Sequence, residues 1–405
     1  MLPSQTVPRP SGLAPARTLA DLFGPGVAYV SRRSPNLHGW SPTATGLVDF
    51  QTGNQMGIAG AIPYVVSAGV VTAPALALLA EGGIPVEADL HVYRSSSEYL
   101  EILRRLAAGG LRHATQRVHP EEEVPAAACL VRPELQRALN DKGRMEDLVP
   151  ADWLPTRRVG KVSEIPPAER LLADGPVVLK ASTPLPSGGG HCVWICRAPE
   201  DVEAARAALR SERLVVIEKF LRIRRSVCVH AVVSADGSAS LAGFAEEVCG
   251  GDGKWLGNWL DAEADAVPAE VEAVVLRIVR AAAARGYRGI VGVDVAFPED
   301  GPPLVLDLNF RVNGSTAAVW LKAGIEEARG GVSMRLRSWA FERGFDDLFR
   351  IARRAVERRS LLPLCLYDPR ACEAGGMPRL HGILVGASRA AVREEERRLA
   401  AEGLA

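Results

Sequence analysis

The chain has 405 residues, and 48 lysines and arginines balance 48 aspartates and glutamates, so its formal net charge is zero. This balance gives no basic footprint for nucleic acid or for a membrane surface, and we expect neither as a partner. The length suits two or three domains, and a hydrophobic content of 47% is ordinary for a globular protein.

The sequence also predicts a cytoplasmic protein. Its first 17 residues lack the apolar stretch of a secretory signal, and no uninterrupted apolar run is long enough to span a bilayer. The seven cysteines are odd in number and form no CxxC pair, which favours buried free thiols over disulfides or zinc ligands.

The fold class predicted from the order of elements is α/β, in four segments. Residues 1–20 are rich in proline and serine and are expected to form a flexible lead. Residues 21–135 alternate short apolar strands with helical patterns, as in a small α/β domain, and include a helix through Leu106 with its N-cap in the run Ser95-Ser96-Ser97-Glu98. Residues 136–340 form a second, larger block, and residues 345–405 a small C-terminal α/β domain. The strands predicted in the second block are 176–180, 193–196, 214–220, 226–234, 239–248, 290–297 and 304–309.

The last two of these strands predict a metal site. A proline- and glycine-containing turn separates them, so they should pair as an antiparallel hairpin. Strand side chains alternate between faces, so Asp307 and Asn309 share one face, which Asp294 can reach from the partner strand. Their oxygen donors suit Mg²⁺, with phosphate completing its shell. Arg311 lies further along the same face, where it could meet an anion. The alternative is a polar strand end beside a turn.

A lysine and a glycine-rich loop predict phosphate contacts. Lys180 ends an apolar strand and can place a cation on phosphate oxygens, or it is a lysine that snorkels from a buried strand. The loop Ser187, Gly188, Gly189 and Gly190 can bring backbone amides close to phosphate, or it is a flexible turn. No Walker loop and no GxGxxG is present, so a dinucleotide fold is unsupported.

Along the chain, the motifs stand in the order Asp141-Lys142, Lys180 with the glycine loop, Glu218-Lys219-Phe220-Leu221, Asp294 and Asp307-x-Asn309-x-Arg311. In this order they resemble the motifs of the ATP-grasp ligases over roughly residues 141–322. The resemblance implies an ATP-grasp fold, with two subdomains clamping ATP, and the cofactors ATP and one or two Mg²⁺ ions.

The resemblance also implies roles for individual residues. Lys142 would be a second phosphate lysine beside Lys180, although a helix-surface ion pair is an alternative. Glu218 would take the adenine amino group and the backbone of residues 219–221 would line the hinge, although Glu218 could be a surface acid. The family's usual metal-binding acids are glutamates, whereas both are aspartates here, which leaves the number of metal ions open.

A narrower resemblance concerns the segments outside the grasp. Residues 36–42 and 48–53, together with residues 380–389, resemble the pheganomycin-type peptide ligases, which have a pre-ATP-grasp domain, the grasp and a small C-terminal domain. This resemblance implies joining of a carboxylate to an amine in natural-product assembly, such as antibiotic biosynthesis. Lys180 and Arg311 are the predicted catalytic residues, acting through an acyl phosphate with release of ADP.

Several alternatives stay open. The acceptor could be a carrier-protein thiol instead of an amine, or the chain could be a non-catalytic ATP-binding scaffold. Residues 313–316 could help to bind the carboxylate, and residues 250–258 could close over the substrate or form a solvated hairpin turn. His230 is expected to be a core histidine. The general base, the substrates and the formation of a homodimer are not determined by the sequence.

Overall fold

A computed structural model gives the fold for residues 13–37, 39–40, 44–261, 266–330 and 332–404. Residues 1–12 of the predicted flexible lead, and His38, lie outside the described residues. Within the described ranges, no helix combines the length and the apolar character needed to cross a bilayer.

The N-terminal layer is built on four parallel strands with four helices. Their bounds are β1 (Val27–Val30), β2 (Pro63–Ser67), β3 (Asp89–Tyr93), β4 (Arg112–Thr115), α1 (Leu19–Phe23), α2 (Leu47–Gln51), α3 (Ala73–Glu81) and α4 (Ser96–Ala108). The strand order is β3-β2-β1-β4, so β2 and β4 flank β1 on opposite sides. The predicted cap of α4 is confirmed, because the Ser95 hydroxyl accepts a hydrogen bond from the Glu98 amide at 3.1 Å.

A second sheet of four antiparallel strands follows. Its elements and the preceding helix are α5 (Pro133–Asn140), β5 (Arg157–Lys161), α6 (Ala168–Leu171), β6 (Val177–Ser182), β7 (Val193–Cys196), α7 (Pro199–Leu209) and β8 (Leu214–Lys219). The order is β5-β8-β6-β7. Between α5 and β5, Asp141 caps a 3₁₀ helix, Lys142–Asp147, and accepts a hydrogen bond from the Gly143 amide at 3.0 Å.

The third sheet has eight antiparallel strands. Its elements are β9 (Ile223–Val233), β10 (Ala239–Cys249), β11 (Trp255–Asp261), α8 (Ala269–Ala284), β12 (Gly289–Pro298), β13 (Leu304–Asn309), α9 (Thr316–Arg329), β14 (Ser333–Ala340), α10 (Phe345–Glu357), β15 (Leu361–Tyr367), β16 (Arg379–Gly386) and α11 (Arg389–Ala401). The order is β13-β12-β9-β10-β11-β14-β16-β15. The C-terminal strands β15 and β16 thus continue this sheet, and the predicted domain boundary near residue 345 stays a prediction.

Side chains alternate between the two faces of β9 and β12, so one face of this sheet packs in the core and the other carries polar residues. The odd-numbered valines of both strands, such as Val229 and Val293, pack in one buried cluster with Val275 and Ile278 of α8. Because strand side chains alternate, the even-numbered positions, which include Asp294, project from the opposite face. Burial of one face under a helix therefore determines which side of the sheet is polar.

All seven cysteines are free thiols, which confirms that part of the prediction. Four of them, Cys192, Cys196, Cys228 and Cys365, are buried as expected. Cys249 is exposed at the end of β10, so the expectation of burial was wrong for this residue.

Candidate active site

The predicted hairpin is present, and it aligns the four polar residues that the sequence singled out. Asp294 of β12 lies directly opposite Asp307 of β13. The Asn309 amide nitrogen donates to Asp294 Oδ2 at 2.9 Å, and Arg311 Nη2 donates to Asn309 Oδ1 at 2.5 Å. The side chains of these residues therefore form one continuous row of two carboxylates, an amide and a guanidinium.

Lys142 reaches this row from the 3₁₀ helix after α5. It is buried, and its ammonium forms an ion pair with Asp307 Oδ2. Burial works against the charge of both groups. The ion pair outweighs burial, raising the pKa of Lys142 and, with further help from Lys180 and Arg311, lowering the pKa of Asp307. A surface ion pair was therefore the wrong alternative for Lys142, whereas its contact with phosphate stays a prediction.

Lys180 and Glu218 connect the second sheet to the same row. Lys180 Nζ lies 2.5 Å from Glu218 Oε2 and donates to the Leu306 carbonyl of β13 at 3.0 Å. Both side chains are buried. A snorkelling lysine and a surface acid were therefore the wrong alternatives, and the two strands β6 and β8 present a buried ion pair beside Asp307.

Arg157 of β5 was not anticipated from the sequence, yet it joins two of the predicted residues. Its Nη1 lies 3.5 Å from Glu218 Oε1, and its Nη2 donates to the Lys142 carbonyl at 2.5 Å. The side chain is only 3% exposed. The predicted hinge follows β8, where the Lys219 amide donates to the Thr156 carbonyl at 2.9 Å and the Phe220 amide to the Pro176 carbonyl at 3.3 Å. Leu221 lies between β8 and β9.

The predicted glycine loop packs closely over the row. The Gly188 amide donates to the Trp40 carbonyl at 3.2 Å. A Cβ atom on Gly188 would lie 2.5 Å from Arg117 Nη2 and 3.7 Å from Arg311 Nη2. A Cβ atom on Gly190 would lie 2.7 Å from the Gly253 carbonyl oxygen. The loop thus contacts the N-terminal layer on one side and the β10–β11 turn on the other.

Glu247 is a third acid at the row that the sequence analysis missed. Ser226 donates to Glu247 Oε2 at 2.7 Å. Burial raises the pKa of Glu247, and burial followed by the charges of Glu247 and Asp307 raises the pKa of Asp294 well above its ordinary range. Side-chain alternation along β10 could have predicted the position of Glu247. Cys228 of β9 pairs with Asp294 on one side and with Ala245 on the other, and Glu247 lies two residues after Ala245, on the same face.

This donor set fits a hard cation such as Mg²⁺. After burial, the charges of Glu247 and Asp307 raise the pKa of Asp294, so a divalent cation bound beside Asp294 would favour its ionised form. Among the described residues, no group of three or more His, Cys, Asp or Glu side chains forms a ready-made metal cage. Mg²⁺ is commonly held by one or two carboxylates plus substrate phosphates, so this finding is consistent with the predicted set of Asp294, Asp307 and Asn309.

The other segments that the sequence analysis considered for the site, at His230, residues 313–316 and residues 250–254, are held by local hydrogen bonds. His230 is buried, its Nε2 lies 3.0 Å from the Ser315 hydroxyl, and burial lowers its pKa to about 4, as expected of a core histidine. Asn313 Oδ1 accepts hydrogen bonds from the hydroxyls of Ser315 at 3.2 Å and Thr316 at 3.1 Å. Residues 250–254 form the hairpin turn between β10 and β11, while closure over a substrate stays a prediction.

Two family models match the chain. The N-terminal domain of L-aspartate–L-methionine ligase matches residues 18–137, and the ATP-grasp domain of the same ligase matches residues 155–309. Together these ranges cover about two thirds of the sequence. They coincide with the N-terminal layer and with most of the two sheets that form the row.

Solved structures show the same fold at low identity. An N5-carboxyaminoimidazole ribonucleotide synthetase in complex with ADP is 15% identical, with a TM-score of 0.58 over 94% of this chain and 98% of that one. The Staphylococcus aureus N5-carboxyaminoimidazole synthetase with ADP is 12% identical, with a TM-score of 0.55 over 95% and 99%. A Campylobacter jejuni biotin carboxylase is 16% identical, with a TM-score of 0.54 over 93% and 91%.

The predicted α/β architecture of a pre-ATP-grasp domain followed by the grasp is therefore confirmed, and so is the expectation of an enzyme that uses ATP and Mg²⁺. The chain belongs to the ATP-grasp ligases, which form a C–N bond with conversion of ATP to ADP.

Proposed function

We propose that this enzyme joins the carboxylate of one amino acid to the amine of another through an acyl phosphate. The observation that carries this proposal is the convergence of Lys142 and Lys180 on β13 beside Asp307, next to Arg311. Two cations from different elements, two facing carboxylates and a guanidinium match the needs of phosphoryl transfer to a carboxylate. The ligase whose family models match is named for two amino acids, which supports a dipeptide as the product.

In the first step, a carboxylate oxygen of the donor attacks the γ-phosphorus of ATP and ADP leaves. Arg311 would stabilise the transferring phosphoryl group, because a planar guanidinium can contact two oxygens at once. In the second step, the amine nitrogen attacks the acyl carbon, the C–N bond forms, phosphate leaves and the amine loses a proton. The group that accepts this proton is not assigned.

The nucleotide would lie between the second and third sheets. Lys142 and Lys180 would carry phosphate charge, and the loop Ser187–Gly190 would cover the triphosphate with its backbone amides. Glu218 and the backbone of residues 219–221 would contact the adenine. Because Lys180 and Glu218 form an ion pair in the structure, we expect nucleotide binding to separate them or to draw both onto the ligand.

Mg²⁺ would be held by Asp294, Asp307 and Asn309, and would supply charge neutralisation between the phosphate groups. Glu247 lies close enough to interact electrostatically with Asp294. Lys142 already neutralises Asp307, so this lysine would balance the charge of the acids in the absence of the ion.

A carrier-protein acceptor has no specific support in this fold. The basic residues of α10 and its C-cap that could have met an acidic carrier are largely neutralised: Arg353 is paired with Glu81, Arg354 with Glu402 and Arg358 with Glu395. A free amine is therefore the acceptor we propose. A role in natural-product assembly is supported by the sequence resemblance alone.

The test is ADP release by the full chain with Mg²⁺-ATP across a pool of amino acids that includes aspartate and methionine, followed by mass spectrometry of the products. Asp307→Ala should abolish amino-acid-dependent ADP release. Asp300→Ala, which changes an exposed acid in the turn of the same hairpin, should not. Nucleotide binding without ADP release in any mixture would contradict ligation of free amino acids. Failure to bind ATP would overturn the proposed nucleotide site.

A further inference from the structure

One residue of the N-terminal layer packs on the second sheet. Trp40 lies between β1 and α2, yet its indole packs against the buried apolar cluster of the second sheet, as do Val193 and Trp194 of β7. The rings of Trp40 and Trp194 meet edge to face, with their centroids 5.2 Å apart and their planes at 86°. The side chain of Trp40 therefore anchors the segment after β1 on the second sheet.

The indole nitrogen fixes the orientation of this ring. Trp40 Nε1 donates to Glu212 Oε1 at 2.6 Å. Glu212 lies between α7 and β8, so the acceptor belongs to the second sheet, like the apolar neighbours of the ring. A hydrogen bond to a carboxylate is directional and roughly twice as strong as a neutral one. Packing and this hydrogen bond together hold Trp40 in one position on the second sheet.

The backbone of the same residue supports the glycine loop. Trp40 and Ser187 form a parallel β-bridge, and the Gly188 amide donates to the Trp40 carbonyl at 3.2 Å. A Cβ atom on Gly39 would overlap the Pro186 carbonyl oxygen, so the two segments are in direct contact. Trp40 thus contacts the loop through its backbone, while its side chain is fixed at two other points of the second sheet.

This arrangement divides the amides of the loop into two groups. The Gly188 amide is bound to Trp40, whereas the amides of Gly189 and Gly190 donate to no backbone carbonyl among the described residues. Backbone amides that lack an acceptor within the protein can bind phosphate oxygens. Gly188 is therefore the point of attachment, and Gly189 and Gly190 carry the amides that the loop can offer to a triphosphate.

We propose that Trp40 is a positioning residue that holds the glycine loop over the nucleotide. The N-terminal layer thereby sets the position of the Gly189 and Gly190 amides, through a contact that links the segment after β1 to the second sheet. This inference rests on the proposed function, because it assumes the nucleotide site described there. It adds to that site a residue that lies outside the range 141–322, which carries the ATP-grasp motifs.

The first test measures the loop directly and needs no nucleotide. Hydrogen–deuterium exchange of the full chain is followed by mass spectrometry in peptides that cover residues 185–191. Trp40→Phe keeps an aromatic ring but removes the indole donor, and Glu212→Ala removes its acceptor. Each variant should speed exchange of the loop amides by about tenfold, as for loss of a charge-assisted contact. The double variant should be no faster than either single variant, since both remove the same hydrogen bond.

Two further variants make this result specific. Glu212→Gln should stay close to wild type, because its amide oxygen can still accept from the indole. Trp153→Phe is the matched control, since Trp153 is half-buried and packs against a different apolar cluster, and exchange in residues 185–191 should not change there. Unchanged exchange in both Trp40→Phe and Glu212→Ala would overturn the inference, whatever the protein does with ATP.

The second test asks whether the loop that Trp40 holds contacts phosphate. Calorimetric titration compares Mg²⁺-ATP with AMP, which can reach the hinge but lacks the β- and γ-phosphates. Trp40→Phe should weaken binding of Mg²⁺-ATP by about tenfold and that of AMP by less than about twofold. An equal loss of both affinities would overturn the inference, because a general disturbance of the nucleotide site has that effect. Faster loop exchange in Trp40→Phe, with no ATP binding by the wild type, would support the contact of Trp40 with the loop and overturn the proposed function instead.

Discussion

Lys180 and Glu218 lie on adjacent antiparallel strands and meet in a buried ion pair, with Lys180 Nζ 2.5 Å from Glu218 Oε2. Each has a further contact, since Lys180 donates to the Leu306 carbonyl and Glu218 is approached by Arg157. The two residues proposed to contact opposite ends of the nucleotide therefore stabilise one another in its absence. Because Lys180 also contacts β13, nucleotide binding that changes this ion pair would also change how the second sheet packs against β13.

Replacing Lys180 with methionine should weaken Mg²⁺-ATP binding and lower ADP release by about 10²- to 10³-fold, because a cation at the phosphates is lost. The free energy of unfolding should fall by about 1–3 kcal/mol, since Arg157 is then the one cationic partner left to Glu218 among the described residues. Calorimetric titration with the nucleotide and urea unfolding measure the two effects. Lys161→Met, which changes an exposed lysine of β5, is the control. Unchanged nucleotide affinity in Lys180→Met would contradict the proposed contact.

Arg157 should act as a positioning residue for the nucleotide. Arg157→Met removes the link between Glu218 and the Lys142 carbonyl, and we expect KM for ATP to rise about tenfold with kcat changed little. Arg157→Lys should restore part of the affinity. The neighbouring Arg158 is exposed, so Arg158→Met serves as the matched control. Steady-state kinetics decide the point, and a fall in kcat with unchanged KM would argue against a positioning role.

Gly190 is held in a conformation that other residues rarely adopt. Its φ is +79°, and an added Cβ would lie 2.7 Å from the Gly253 carbonyl oxygen. Gly190→Ala should displace the loop and slow ADP release by about tenfold or more, since strain of this kind costs about 1–3 kcal/mol. The thermal midpoint should change little, because the loop can relieve this strain by moving away from the Gly253 carbonyl oxygen without disturbing a core. Gly251→Ala adds a methyl group where no atom lies within 4 Å, and normal activity is expected there. Equal activity of the two variants would show that the loop–loop contact is dispensable.

Stability should decrease in mild acid because of buried histidines. Burial lowers the pKa of His113, His119, His230 and His381 to about 4 from an ordinary value of 6.5. The unfolded chain binds protons at these residues as the pH falls through 6.5, and the folded protein does so only near pH 4. The stabilisation is therefore complete above pH 6.5 and is lost as the pH falls toward 4.

His119 is the residue chosen to test this dependence, because it is buried and its Nε2 lies 2.7 Å from the Tyr99 hydroxyl. His119→Gln should reduce the loss of unfolding free energy between pH 6.5 and 4 by about 1–3 kcal/mol relative to wild type. Urea unfolding across this range measures it. If the free energy of unfolding of His119→Gln depends on pH as that of the wild type does, then His119 does not contribute to this pH dependence.

Local sequence pattern accounts for much of the third sheet and for the metal row. Period-two alternation and turn residues predicted the hairpin of β12 and β13, and the two-residue spacing placed Asp307 and Asn309 on one face. By contrast, β5 was missed, since its five residues carry a single apolar side chain, Val159, which is exposed. Arg157 was missed with it, because an arginine on an edge strand has no local feature that predicts burial.

The sequence by itself determined the strand-forming segments, the polar face of the hairpin and the motif order that identifies the superfamily, because these depend on neighbouring residues and on side-chain alternation. Only the tertiary structure decided that Lys142 reaches Asp307, that Lys180 meets Glu218 and that Arg117 and Arg311 both lie beside Gly188. These contacts join residues distant in the chain. They depend on strand order and on the packing of three separate sheets, which the free energy of burial determines over the whole molecule and no local pattern specifies.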